Sequence, residues 1–92
     1  MAHDRVWRPT GPIEWRKWDD RFVVFHSPSG DTHELSELGG CTLLTLAAHP
    51  LGLGVGDVIR RLASETRAVT PTDVLSVLEA LAERGLVAPI AR

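Results

Sequence analysis

Cysteine is nearly absent: Cys41 stands alone among 92 residues. No internal disulfide can form, and a single thiol in an apolar stretch suits a reducing compartment. Clusters of positive charge are absent as well. Ten Lys and Arg face twelve Asp and Glu, for a net charge of −2. Residues 1–35 carry five basic and six acidic side chains, and residues 36–92 carry the same numbers. Phosphate binding needs clustered cations, so this even spread argues against a nucleic-acid partner. Unbroken apolar runs span only a few residues, so no segment crosses a membrane. The stretch Met1 to Trp7 has no apolar signal region. The expectation is a cytoplasmic protein.

Catalytic signatures are missing too. There is no G-x-S-x-G, no P-loop, no G-x-G-x-x-G and no C-x-x-C. Gly52, Gly54 and Gly56 alternate without a strand before them and read as a link. His3, His26, His33 and His49 sit at no ligand spacing with one another or with Cys41. His33 reads as a partly buried strand residue and the other three as solvated. Cys41, near the start of an apolar helix, reads as packing rather than as a nucleophile. The expectation is a protein that is not an enzyme and holds no metal and no cofactor.

What is present is enough for one small domain. A hydrophobic fraction of 43% fits a globular chain and not a disordered one. Residues 1–92 read as a single domain with an ordered core at about 12–88. At this size only about 60–65% of the unfolded surface is buried, which leaves little margin for an elaborate interior site.

The first third reads as strands. Ile13 to Trp18 alternates in polarity. Asp19-Asp20 forms a tight turn, and Arg21 to His26 carries the aromatic and β-branched residues of a central strand. Ser27-Pro28-Ser29-Gly30 suits a type I turn, after which Asp31 to Leu35 returns alongside. The loop lengths put Trp15 opposite Val24, and Val24 opposite His33. One face then holds Ile13, Trp15, Phe22, Val24, His33 and Leu35 and should meet the helices. The segment Met1 to Thr10 reads as loose, pinned at most by Trp7.

The remainder reads as helices over 38–48, 55–65 and 71–84. Ser36 caps the first, whose inward residues are Leu43, Leu44 and Ala47. Val55, Val58, Ile59, Leu62 and Ala63 make the stripe of the second. Thr70, Pro71 and Asp73 start the third, Val74, Val77, Leu78 and Leu81 face inward, and Gly85 ends it. Leu86-Val87 packs back and Pro89 closes the ordered part. The predicted fold class is α+β and winged-helix-like: a three-stranded antiparallel sheet followed by a three-helix bundle, in the order β-β-β-α-α-α.

The last strand of such a meander lies at an edge, and Asp31 to Leu35 contains no Pro and no Lys to guard it. An open edge beside an apolar helix is the geometry of strand addition by a peptide.

Two stretches resemble a known family. The hairpin ending in Ser29-Gly30-Asp31-Thr32-His33-Glu34-Leu35-Ser36 is similar to PqqD-family peptide chaperones. So is the pattern Asp57 to Leu62 followed by Asp73 to Leu81 and Arg84-Gly85-Leu86-Val87. The Ser-Gly-Asp-Thr-His stretch looks most like the subgroup associated with an HPr-kinase-related system. The resemblance covers roughly residues 12–88 and includes no catalytic signature. It implies a RiPP recognition element, a non-catalytic domain that binds the leader of a ribosomally made precursor peptide and presents it to a modifying enzyme. It implies a leader lying as a strand along Thr32, His33, Glu34 and Leu35, against a helix wall drawn from Val74, Leu75, Leu78 and Ala82. Val74 and Leu78 lie on the core stripe, whereas Leu75 and Ala82 lie off it and are the better candidates for contact.

Two alternatives stand beside this reading. One is a DNA-binding winged helix, disfavoured because the third helix has no Lys or Arg before Arg84 and carries Asp73, Glu79 and Glu83. The other is a structural protein-interaction module using Trp18, Val23 and Phe25 on the outer sheet face. The open edge also invites a homodimer.

Overall fold

The computed structural model describes residues 5–63 and 69–91. The elements run β1 (Arg5–Pro9), β2 (Ile13–Trp18), β3 (Arg21–His26), β4 (Asp31–Leu35), α1 (Glu37–Ala47), α2 (Val55–Ala63), α3 (Pro71–Glu83) and β5 (Val87–Ala91). The chain is α+β, with the expected three-stranded antiparallel sheet, β2-β3-β4, and three helices. The order differs from the expectation: it is β-β-β-β-α-α-α-β, because β1 and β5 pair as a second, two-stranded sheet. Strands therefore extend beyond 12–88 at both ends. Residues 64 and 65 of the expected second helix, and His3, lie outside the described residues.

Trp7 explains the extra pair. Its side chain is 1% exposed, and its backbone exchanges hydrogen bonds with Leu53. The Trp7 N–H donates to the Leu53 carbonyl at 2.8 Å, and the Trp7 carbonyl accepts from the Leu53 N–H at 2.9 Å. These groups point away from β5. Trp7 stands opposite Pro89, at a position whose N–H would face away from β1. Proline therefore removes no ladder bond there, and β5 continues through it instead of ending at it.

In the larger sheet, Trp15 lies opposite Val24 and Val24 opposite His33, as the loop lengths predict. Asp19 takes a φ of 54°, the positive value that tight hairpin turns require at their first loop position. Phe22, Val24 and Leu35 on the inner face join the core. Trp15 shares that face but is 48% exposed, since every residue of β2 after Ile13 is exposed and the strand overhangs the helical layer. Its ring leans on Phe22, with centroids 5.8 Å apart.

The helices begin as their caps dictate. The Ser36 side chain accepts from the Gly39 N–H, and Thr70 with Asp73 forms a capping box ahead of α3. Gly85, at φ 78°, ends α3 as the left-handed residue. In α1 the inward residues are Gly39, Gly40, Thr42, Leu43 and Leu46, whereas Leu44 is half-buried and Ala47 exposed. The expected stripe is thus turned about the helix axis. Gly40 is the reason: a Cβ there would overlap the Phe22 ring, so the bare backbone lets α1 lie directly on β3. Glycine and threonine carry no signal in an apolar periodicity. Val58 and Leu62 of α2 and Val74, Leu78 and Leu81 of α3 complete the core, and Cys41 packs against it.

His26 is buried at 4% exposure, not solvated. Its Nε2 lies 2.8 Å from Thr10 Oγ1 and its Nδ1 2.8 Å from Ser29 Oγ. The Thr10 hydroxyl donates to the Gly85 carbonyl at 2.6 Å, so it accepts from Nε2–H, and Nδ1 accepts from Ser29. Both ring nitrogens are satisfied, which makes burial of the ring tolerable. The network joins the β1–β2 link, the β3–β4 turn and the end of α3.

Candidate functional site

Backbone polarity identifies which groups face the open edge of β4. The Ser27 N–H donates to the Pro12 carbonyl at 3.1 Å, which aims Pro12 at β3. In an antiparallel strand one residue's N–H and C=O point to the same side, and that side alternates along the chain. Glu14, Arg16 and Trp18 therefore bond to Phe25, Val23 and Arg21, their partners in the register. Phe22, Val24 and His26 turn the other way, toward Leu35, His33 and Asp31 of β4. Thr32 and Glu34 are left with their N–H and C=O groups on the outer edge. The Glu34 carbonyl shows this independently, accepting a hydrogen bond from Arg84 Nη1 at 3.4 Å.

That contact also orients α3. The helix buries Val74, Leu78 and Leu81, and Arg84 emerges from one flank of the stripe. At about 100° per residue, Val77 lies on the same flank as Arg84, and Ala80 about 40° away. Leu75 is nine residues from Arg84, half a revolution round, with Ala82 close to it. The flank of α3 on the Arg84 side, which also carries Val77 and Ala80, is thus the one turned toward β4.

The residues singled out in the sequence divide accordingly. Thr32 and Glu34 are exposed on the edge, His33 is half-buried, and Leu35 is buried. The Nε2 atom of His33 is buried and has no hydrogen-bond partner. Val74 and Leu78 are fully buried and support the wall from beneath. Leu75 is 36% exposed and Ala82 half-buried, both on the flank turned away from β4. Val77, on the expected core stripe, is half-buried, and Arg84 is exposed. No sequence signal ranks them above Leu75, because the rotation of α3 relative to β4 is a tertiary property.

The surroundings are modest in charge. Arg21 pairs with Glu34 across the outer face at 3.3 Å. Among the described residues no group of three His, Cys, Asp or Glu side chains is placed to hold a metal ion, and no helix is long and apolar enough to cross a membrane. An open cleft of about 680 Å³ lies elsewhere, where Pro9, Pro12, Ile13, Ala47, Pro50 and Ala88 meet.

No family model matches the chain, and no curated protein matches it. A solved structure does: TbiB1 in complex with the TbiA(β) leader peptide. The superposition has a TM-score of 0.63 at 19% identity and covers 92% of this chain and 99% of that one. The chain shares the fold of TbiB1. With nearly the whole of TbiB1 matched, the likeness extends over the entire domain rather than one motif.

Proposed function

We propose that this domain is a non-catalytic binder of a precursor peptide's leader segment, which it holds as a strand added to β4 and presents to a modifying enzyme. The observation that carries the reading is the open edge at Thr32 and Glu34 in a fold whose relative TbiB1 was solved with a leader peptide. The resemblance to PqqD-family chaperones points the same way.

The edge prescribes how the strand lies. Two peptide residues, one apart, exchange backbone hydrogen bonds with Thr32 and Glu34. The residue between them stands opposite His33 and drops its side chain toward Val77. Its neighbours point outward. Arg84 leaves the Glu34 carbonyl as the strand arrives. Burying one bulky apolar side chain contributes roughly 1.5–3 kcal/mol, from which ordering of the peptide subtracts. The affinity falls between about nanomolar and micromolar.

DNA binding fits the surface poorly. The exposed face of α3 presents Asp73, Glu79 and Glu83, which repel phosphate.

The test is an amide-resolved NMR titration with the leader of a precursor peptide encoded beside this gene. Shifts should concentrate on residues 31–35 and on Val77 to Arg84. Shifts on Val23 and Phe25 that spare β4 would overturn the assignment.

A further inference from the structure

The β2 edge is as open as that of β4 and carries a pattern of its own. Every residue from Glu14 to Trp18 is exposed. Ile13, Trp15 and Lys17 turn their N–H and C=O groups outward, because Glu14, Arg16 and Trp18 bond to β3. Lysine commonly guards such an edge. Here Lys17 is turned inward instead, 5.6 Å from the centre of the Phe22 ring and 4.0 Å from Glu37. Two indoles remain uncovered on this one strand, Trp15 on the inner face at 48% and Trp18 on the outer face at 63%. Among the described residues Glu14 and Arg16 make no ion pair.

We propose that β2 is the interface for a second copy of this chain, joined antiparallel about a two-fold axis at Trp15. The occupant follows from charge and register. Antiparallel pairing must match outward-facing residues with outward-facing residues, so a symmetric pair that overlaps at least three residues of each strand can centre on Glu14, Trp15, Arg16 or Lys17. Centring on Glu14, Arg16 or Lys17 sets two identical charges directly against each other, which destabilises a sheet. Centring on Trp15 sets Glu14 of each copy opposite Arg16 of the other, twice, at the closely spaced non-hydrogen-bonded positions. It stacks the two Trp15 rings on the inner face and lays the Lys17 stem over Ile13. Of these four registers the strand is complementary to itself in that one alone.

The product is one continuous six-stranded sheet with β4 at both ends, so the dimer leaves the β4 edge free. The inference does not depend on what β4 binds.

Sedimentation velocity on the full chain, from about 1 to several hundred micromolar to cover weak association, tests it. The expected species is twice the 10.1 kDa monomer mass. Glu14→Arg and Arg16→Glu should each weaken the dimer at least tenfold, with circular dichroism confirming that these exposed sites leave the fold intact. Mixing the two variants should restore a dimer, since both cross-strand pairs are then opposite in charge. The Glu14→Arg/Arg16→Glu double variant should dimerise alone. A wild-type monomer throughout, a dimer indifferent to the single reversals, or a mixture that stays monomeric would each overturn the proposal.

Discussion

Leu75 and Arg84 stand on opposite sides of α3, nine residues and therefore half a revolution apart. Since Arg84 reaches the Glu34 carbonyl, the flank bearing Leu75 is turned away from β4. Val77→Ala should weaken binding about fivefold, the equivalent of about 1 kcal/mol of lost apolar contact. Leu75→Ala should leave it unchanged, although Leu75 is the more exposed of the two. Isothermal titration of both variants against one leader peptide decides the matter. A loss confined to Leu75→Ala would mean that Arg84 wraps round the helix end and that the wall is the other flank.

Proline separates the two roles of β4. The Glu34 N–H faces the open edge, so Glu34→Pro removes no bond to β3. The domain should stay folded while peptide affinity falls more than tenfold, about 1.4 kcal/mol, from the lost backbone pairing. The His33 N–H faces Val24. His33→Pro should therefore destabilise the fold itself by about 3 kcal/mol, seen as a lowered urea midpoint. A destabilised Glu34→Pro beside a stable His33→Pro would show that the edge alternation is reversed.

The Thr10 hydroxyl ties the β1–β2 link to His26 at the end of β3 and to Gly85 just after α3. Thr10→Val keeps the shape but strands one ring N–H and one carbonyl. It should lower stability by about 1–3 kcal/mol in urea denaturation.

Much of this fold could be read from the chain, and the failures share a cause. The β2-β3-β4 register followed from two loop lengths. The ends of α3 followed from Thr70, Pro71, Asp73 and Gly85. Such signals are local. β1 and β5 escaped because Arg5, Arg8, Pro9 and Pro89 do not look like strand residues. What makes them strands is their pairing with each other, Trp7 opposite Pro89 across nearly the whole chain, with Leu53 bridging Trp7 from the other side. The burial of His26 likewise depends on Thr10 and Gly85. The place of β4 at a sheet edge was legible, since the last strand of a meander lies at its border. The helix half of the candidate site was not, since nothing local fixes how α3 rotates against β4.

Two positions in α1 should respond in opposite directions to added or lost atoms. Gly40 lies inside the helix, where alanine would ordinarily gain up to about 1 kcal/mol. Its missing Cβ, however, is where the Phe22 ring sits, near the root of the ring and not its mobile tip. Phe22 is only 3% exposed and has no solvent to swing into. Overpacking of this kind costs roughly 1–3 kcal/mol, so Gly40→Ala should destabilise on balance. Thr42, two residues on, is fully buried with an Oγ1 that has no hydrogen-bond partner. Thr42→Val keeps the volume and removes the desolvated hydroxyl, and should raise stability by about 1 kcal/mol. Urea midpoints at unchanged m-value measure both. A destabilised Thr42→Val would reveal a partner for that hydroxyl, such as a buried water between α1 and its neighbours.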